Sequence, residues 1–244
     1  MIERLLPGDV SCAATREETV PDGTLFPEEE ELIARSVAKR RNDFATARAC
    51  ARRAMGRLGL EPVAVLHGKR GMPLWPDGIV GSLTHCDGYR AAALARAADV
   101  LSLGVDAEPH APLPEGVGEL VVRPSERERF TGSRAGEEGG IHWDRLLFSA
   151  KESVFKTWYP LTLTELDFDE ADLTFHREGD DRAGDPAAGG TFTARLLRTD
   201  PAVPPVLDGR WRVEDGIVAT AVLLRPNWRD GQAGGSGAGA VQEV

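Results

Sequence analysis

The chain has 244 residues, of which 41% are hydrophobic and 28% charged, and its formal net charge is −10 at pH 7. This composition is typical of one large globular domain or two small ones, and it argues against general nucleic-acid binding, which depends on neutralising phosphates with Lys and Arg. No apolar run reaches the ~18 to 20 residues that span a bilayer, and the first residues lack the pattern of a signal peptide, so we expect a cytoplasmic protein without a membrane partner.

The first half of the chain predicts two helices followed by short strands. Pro27 can begin a helix, because the four glutamates after it suit the positive helix N-terminus. Asn42 is expected to cap a second helix that runs to Gly59. Four apolar segments then predict strands, the second and third joined by a hairpin turn at residues 86–88: "PVAVLHG" (62–68), "IVGSLTH" (79–85), "YRAAALARA" (89–97) and "LSLGVDAE" (101–108).

The second half begins near Pro109. A short helix is expected around "PSERERF" (124–130), and a strong one at residues 141–158, which Pro160 should stop. Residues 132–140 and 178–190 are expected to be loops, the latter mobile, and the tail from residue 230 to be disordered. Later strands are predicted at "ADLTF" (171–175), "FTARLLR" (192–198) and in a hairpin at "RWRVEDGIVATAVLL" (210–224).

Two carboxylates stand at the end of a predicted strand, in "SLGVDAEPH" (102–110). Because alternate residues of a strand share a face, Asp106 and Glu108 should project together, about 6 to 7 Å apart. Like charges this close repel and raise each other's pKa unless a cation lies between them. Alternatively, both acids lie past the strand end and are hydrated. The pattern alone leaves a metal site and a solvated pair open.

Two further charge patterns have the same ambiguity. Residues 35–57 carry eight cations and one acid, which suggests a small anionic ligand or, alternatively, a solvated helix face. In the helix predicted at 141–158, Glu152 and Lys156 are four residues apart, a spacing that by itself indicates only a modest ion pair. This pair becomes informative if the helix meets Asp106 and Glu108.

A family resemblance connects these segments. "GVDAE" (104–108) followed by "FSAKESVFK" (148–156) is similar to the signature of 4′-phosphopantetheinyl transferases, specifically the long Sfp and EntD type. Three upstream stretches match that branch in order and spacing: "KRRNDFATARACARRAMGRLG" (39–59), "GKRGMPLWPDG" (68–78) and "GSLTHCDGY" (81–89).

The resemblance implies an activity and a fold. The expected reaction transfers the 4′-phosphopantetheine arm of coenzyme A to a serine of an apo acyl, peptidyl or aryl carrier protein. It would use Mg²⁺, with Mn²⁺ as a possible substitute, and release 3′,5′-ADP. The expected fold is α+β, with two similar subdomains related by a pseudo-twofold axis at residues 1–108 and 109–229, then the tail at 230–244. Members of this branch are expected to be monomers.

The resemblance also assigns roles to residues. Asp106, Glu108 and Glu152 would hold the metal ion, consistent with the preference of Mg²⁺ for carboxylates. Glu152 would also be the base toward the carrier serine, directly or through a water molecule, and Lys156 would act with it in catalysis. Coenzyme A contacts are expected from Arg40, Arg48, Arg70, Thr84, His85, Lys151 and Lys156, with Arg40 and Arg48 at the 3′-phosphate and the two lysines at the leaving phosphate.

Two other classes of protein fit the same residues. Another metal-dependent phosphotransferase, or a coenzyme A pyrophosphatase, could use the three carboxylates and the basic segment with water in place of the carrier serine. A non-catalytic module that binds coenzyme A would need the arginines but not Glu152 or Lys156.

Overall fold

The computed structural model describes residues 1–21, 23–132, 140–178 and 188–229. Most of the two predicted loops (133–139 and 179–187) and the tail at 230–244 therefore lie outside the described residues. The helices are α1 (Pro27–Ile33), α2 (Ala38–Arg57), α3 (Val117–Val121), α4 (Pro124–Gly132) and α5 (Trp143–Thr162). The strands are β1 (Ser11–Thr15), β2 (Leu66–His67), β3 (Pro73–Leu74), β4 (Ile79–Cys86), β5 (Tyr89–Arg96), β6 (Ser102–Pro109), β7 (Ala171–Glu178), β8 (Ala188–Leu196), β9 (Val206–Glu214) and β10 (Ile217–Leu224).

The first sheet has the antiparallel order β1-β5-β4. Its central strand is buried on both faces, and its residues alternate between two cores as a strand requires. Ala91 and Ala93 share a core with β6 and β10, whereas Ala92 and Leu94 pack with the apolar residues of α2. The small alanine side chains leave room for a layer on each side of the strand.

The second sheet has the order β6-β10-β9-β8-β7, and α5 covers one of its faces. The core between them is rich in aromatic residues, including Trp158, Phe192 and Trp211. The predicted β9–β10 hairpin is confirmed, since Asp215 and Gly216 both have positive φ values (50° and 74°), as a type I′ turn requires. No helix in the described parts of the chain combines the length and apolarity that crossing a bilayer requires.

Strand β6 connects the two sheets. It pairs along its length with β10 in the second sheet, and it meets β4 of the first sheet through side chains. The hydroxyls of Ser82 and Thr84 accept hydrogen bonds from the backbone N–H groups of Val105 (3.1 Å) and Ala107 (2.9 Å). The predicted subdomain boundary after residue 108 assigned β6 to the N-terminal part, but its backbone pairing places the strand in the second sheet.

Two predicted helix limits are wrong. Helix α2 begins at Ala38 rather than after Asn42. Two side-chain contacts stabilise the extra turn, because Lys39 pairs with Asp43 (3.4 Å) and Arg41 donates to the Ile33 carbonyl (3.0 Å). The earlier start places residue 40 on the helix.

Helix α5 continues through Pro160 and ends at Thr162. Proline lacks an N–H and so removes one helical hydrogen bond, the one to the Lys156 carbonyl. Only two residues follow in the helix, and Leu163 closes the last turn by donating to the Tyr159 carbonyl (2.8 Å). The loss of one bond so near the C-terminus does not end the helix.

The closest approach between β6 and α5 occurs at Gly104. A Cβ atom at this position would lie 2.0 Å from the backbone oxygen of Ser153 and 2.6 Å from the Thr157 hydroxyl. Backbone therefore packs against backbone, and only glycine permits it. This contact fixes the register between the strand and the helix.

We expect Gly104→Ala to lower the free energy of unfolding by about 3 kcal/mol or more, since overpacking against backbone forces the two elements apart. Gly56→Ala is the matched control, because a Cβ there has no atom within 4 Å inside α2; it should stabilise the protein by about 0.5 to 1 kcal/mol. Urea unfolding followed by circular dichroism measures both. Equal effects of the two substitutions would contradict the role given to Gly104.

Candidate active site

A cleft with a volume of about 490 Å³ lies between α2, β4 and α5, within the range of small-molecule sites. The α2 side is basic and carries one acid, and the α5 side carries an acid and a lysine one turn apart. Polar and aromatic lining residues are Arg40, Asp43, Phe44, Arg48, His67, Arg70, Ser82, His85, Glu152, Phe155, Lys156 and Tyr159.

Arg40, Phe44 and Arg48 are spaced four residues apart and so share one face of α2. Arg48 is only 7% exposed; its Nε donates to the Val65 carbonyl (3.2 Å), and its guanidinium carbon lies 3.4 Å from the centroid of the Phe44 ring. Burial, with Arg52 and Arg40 nearby, lowers the pKa of Arg48 to about 10 against the attraction of Glu29. Within the described part of the chain, no carboxylate lies in salt-bridge distance of Arg48, so an anion in the cleft would supply its missing counter-ion.

Asp43 is the acid on the α2 side. It is buried, and its carboxylate accepts a hydrogen bond from Arg90 Nη2 (2.5 Å) at the base of the cleft. Although burial acts to raise the pKa of Asp43, the bond and charge of Arg90 lower it overall. His85, which also lines the cleft, has its pKa lowered by partial burial and by the cations around it, against Asp43. The surroundings thus favour the neutral form of His85 and the ionised form of Asp43.

Asp106 projects from β6 toward α5. It is 4% exposed, and its Oδ1 accepts hydrogen bonds from Lys156 Nζ (2.7 Å) and from the Thr84 hydroxyl (3.3 Å). Its Oδ2 is buried and has no hydrogen-bond partner in the described structure. Thr84 does not line the cleft, and its hydroxyl already bonds Asp106 and the Ala107 N–H. In this structure Thr84 supports Asp106, and its predicted contact with the coenzyme stays a prediction.

The other two predicted metal ligands, Glu108 and Glu152, both interact electrostatically with Asp106. Burial raises the pKa of Glu152, and Asp106 adds to this effect against Lys156. Burial and Asp106 also raise the pKa of Glu108 to about 7, even though Arg145 Nη1 donates to its Oε2 (2.9 Å). Burial and the neighbouring Asp106 thus disfavour the charged forms of both glutamates, so a further cation beside them would stabilise the cluster.

The three acids do not form a closed ligand set. In the part of the chain that the structure describes, no three His, Cys, Asp or Glu side chains are arranged to hold a metal ion. Asp106 and Glu152 interact electrostatically, whereas Glu108 is held by Arg145. The residue types and the missing charge still fit a divalent cation, because hard cations take carboxylate oxygens together with waters and substrate oxygens.

Lys151 does not meet this cluster. Its ammonium is buried and donates to Glu126 Oε2 (2.8 Å) and to the carbonyls of Val121 (2.7 Å) and Phe168 (2.7 Å). An ammonium has three N–H donors, so all of them are used. The predicted contact of Lys151 with the leaving phosphate stays a prediction; in this structure its ammonium is held by Glu126 and two carbonyls, and Lys151 is not among the residues that line the cleft.

Arg70, in the segment between β2 and β3, also lines the cleft. Its backbone has a positive φ (58°), and its guanidinium forms an ion pair with Glu165 (Nε to Oε1, 2.5 Å). Both side chains are exposed, and such pairs contribute little stability. The site therefore brings together six of the predicted residues at the cleft wall, with Asp106 directly behind Lys156: Arg40, Arg48, Arg70, His85, Glu152 and Lys156.

Three contributors were not predicted: Asp43, Phe44 and Arg145. Phe44 could have been found from its spacing of four residues before Arg48. Arg145 lies two turns before Glu152 and so shares its helix face. Asp43 lies four residues after Lys39, but its main partner, Arg90, comes from a different strand, and no local pattern signals that contact.

Comparisons with known proteins define the class of protein. A family model for the 4′-phosphopantetheinyl transferase N-terminal domain matches residues 28–95, and a model for the 4′-phosphopantetheinyl transferase superfamily matches residues 102–200. The resemblance noted in the sequence thus extends over both sheets. The α+β fold with two subdomains is confirmed, whereas the pseudo-twofold relation between them stays a prediction.

Individual relatives extend over almost the whole chain. The 4′-phosphopantetheinyl transferase Svp of Streptomyces mobaraensis is 52% identical over 98% of this chain and 95% of its own length. Npt of Nocardia iowensis is 49% identical (91% of this chain, 99% of the relative), and PptT of Mycobacterium tuberculosis is 47% identical (84% and 88%). The chain belongs to the 4′-phosphopantetheinyl transferase family and is an enzyme of that class.

We expect Lys151→Met to lower the free energy of unfolding by about 3 to 5 kcal/mol, because it leaves the fully buried Glu126 without its counter-charge. The double variant Lys151→Met/Glu126→Gln should recover part of that loss and should bind coenzyme A as the wild type does. Chemical unfolding and calorimetry measure these quantities. If the Lys151→Met protein were stable but bound coenzyme A weakly, this result would support the predicted contact between Lys151 and the phosphate.

Glu152→Gln should stabilise the metal-free protein at neutral pH. The folded-state pKa of Glu152 is raised above its unfolded value, so ionising this group opposes folding, and the wild type loses stability as pH rises through that interval. The variant lacks this loss. Urea unfolding in EDTA should show little difference at pH 4 and a more stable variant at pH 8; a constant difference at both pH values would contradict the assignment.

Proposed function

We propose that this transferase binds coenzyme A in the cleft and moves its 4′-phosphopantetheine arm to a serine of an apo acyl, peptidyl or aryl carrier protein. The observation that carries the proposal is a buried cation, Arg48, that has no carboxylate partner among the described residues and lies in the same cleft as Glu152 and Lys156. Family membership and the names of the relatives support the reaction. Because one chain supplies every wall of the cleft, we propose that it acts as a monomer.

The α2 side fits the 3′-phosphate. Arg40 and Arg48 would both face this dianion, and Arg48 is held in place by the Val65 carbonyl and the Phe44 ring. Since the structure gives Arg48 no carboxylate among the described residues, the phosphate would compensate a buried charge. His85 lies on β4 between the arginines and Lys156, where its N–H could donate to a phosphate oxygen.

The α5 side fits the chemical step. The carrier serine hydroxyl would attack the phosphorus that bears the pantetheine arm, passing its proton to the carboxylate of Glu152. The bond from that phosphorus to the bridging oxygen breaks, and 3′,5′-ADP leaves. Burial and Asp106 raise the pKa of Glu152, which makes it a better base near neutral pH. The Lys156 ammonium, whose own burial is outweighed by three carboxylates that raise its pKa, would stabilise the charge on the leaving phosphate.

A divalent cation fits beside these residues. Asp106 and Glu152 would hold Mg²⁺, with Mn²⁺ as a possible substitute, and Glu108 would contribute its second oxygen. When bound, such a cation neutralises charge on the pyrophosphate. Asp106 Oδ2, which is buried and finds no hydrogen-bond partner among the described residues, supports this assignment.

Intact mass spectrometry of a panel of apo carrier proteins tests the proposal. With coenzyme A and Mg²⁺, we expect the wild type to add one phosphopantetheine group to at least one carrier; EDTA should stop the reaction, and Glu152→Gln should abolish it without unfolding the protein. If coenzyme A were cleaved equally without a carrier, the protein would be a pyrophosphatase; binding without any turnover would indicate a non-catalytic module.

The same assay separates binding from chemistry. Lys156→Ala should lower kcat by about 10²-fold, because it removes a group that acts on developing charge. Arg48→Ala should instead raise KM for coenzyme A and reduce the preference for coenzyme A over dephospho-coenzyme A, since a distant phosphate contributes uniform binding. A rise in KM alone for Lys156→Ala would make that lysine only an anchor.

A further inference from the structure

Helix α5 provides one cation for each of the two acids of β6. Lys156 binds Asp106 (2.7 Å), and Arg145 binds Glu108 (2.9 Å). Glu152 lies between the two cations along the helix, two turns after Arg145 and one turn before Lys156, so all three share a face. Lys156 was predicted from the sequence, whereas Arg145 has no assigned role.

Arg145 is anchored more firmly than a surface ion pair would be. Besides Glu108, its guanidinium donates to the carbonyls of Ala111 (Nε, 3.0 Å) and Pro112 (Nη2, 2.7 Å). Its side chain is 14% exposed and that of Glu108 is 20% exposed. The planar fork therefore spans three acceptors on one segment, an arrangement that a lysine cannot reproduce.

This anchoring determines which oxygen of Glu108 is free. Oε2 accepts from Arg145, and across the described residues Oε1 has no hydrogen-bond partner. If a metal ion displaced Arg145, the guanidinium would lose the one carboxylate that the described residues give it, in a mostly buried position, which is costly. Retaining the pair while Oε1 turns to a cation avoids that cost.

We propose that Arg145 is a positioning residue of the metal site: it holds Glu108 by Oε2, remains bound when the cation enters, and leaves Oε1 as the ligand oxygen. The inference rests on the proposed function, because it assumes a divalent cation at Asp106 and Glu152. It adds a partner behind the ligand, and such partners typically change metal affinity by 10- to 100-fold.

Arg145→Lys is the decisive variant, because it keeps the charge beside Glu108 and removes only the fork. Mn²⁺ binding is measured by electron paramagnetic resonance of the free ion, with coenzyme A present, no carrier, and coenzyme A alone as a blank. We expect about tenfold weaker Mn²⁺ binding in Arg145→Lys. In the Glu108→Gln background the same substitution should have no further effect, since Arg145 acts through Glu108.

Asp144→Ala is the matched control. Asp144 Oδ2 accepts from the Leu113 N–H (2.9 Å), so it fastens the same loop from the same helical turn without contacting Glu108. Its removal should leave Mn²⁺ affinity unchanged. Circular dichroism confirms that each variant is folded at the measuring temperature.

Three results would overturn the proposal. Wild-type Mn²⁺ affinity in Arg145→Lys, or an equal loss in Asp144→Ala, would show that Arg145 only fastens the loop. An equal loss in the Glu108→Gln background would show that it acts by another route. In each case the transfer reaction and its dependence on Glu152 stand, whereas an absence of Mn²⁺ binding to the wild type would overturn the metal assignment as well.

Discussion

The backbone contact between β6 and α5 at Gly104 determines where the charged side chains of this protein meet. With no side chain between the strand and the helix, Ser102 can donate to the Thr157 carbonyl (2.8 Å), and Asp106, two residues beyond Gly104, reaches Lys156. Farther along the same pair of elements, Glu108 reaches Arg145. A bulkier residue at position 104 would separate the elements, and each ion pair would lose its geometry. The chemistry of the α5 side thus depends on a residue that has no functional group.

The cleft combines two charge imbalances of opposite sign. Arg48 is a buried cation without a carboxylate partner in the described residues, and its pKa is lowered to about 10; Glu108 and Glu152 are acids whose pKa values are raised beside Asp106. Each imbalance destabilises the ligand-free fold, since a buried charge requires a partner. A phosphate beside Arg48 and a divalent cation beside Glu108 and Glu152 would each supply the counter-charge that these groups lack. The folded protein thus gives up some stability at groups that a bound ligand would stabilise. This is the usual trade-off between stability and function at such sites.

Two other buried acids, Glu126 and Glu29, hold the framework and are fully paired. Glu126 is fully buried and accepts from Lys151 and from the backbone N–H groups of Arg123 and Leu173, so it joins α4, α5 and β7. Glu29 does the same near α2, where it accepts from Arg52 and from the Val65 N–H. The arginines of α2 therefore have two different roles. Arg40 and Arg48 line the cleft, whereas Arg52 stabilises the fold through Glu29. Glu29 and Glu126 thus stabilise the framework, whereas Asp106 and Arg48 lie at the cleft without a full set of charged partners among the described residues.

Local patterns in the sequence determined the strands β4 to β6, the Asp-Gly turn of the last hairpin, and the proximity of Asp106 and Glu108, because each depends on residues within a few positions. The order of five short segments also determined the family, and with it Glu152 and Lys156. Only the tertiary structure decided that Lys151 is buried against Glu126, that Thr84 supports Asp106, that α2 begins a turn early and that Arg145 holds Glu108. Adjacent residues of a helix point about 100° apart, so Lys151 and Glu152 meet different neighbours. Those neighbours come from distant parts of the chain, and a pattern that extends over a few residues carries no record of which element will pack against it.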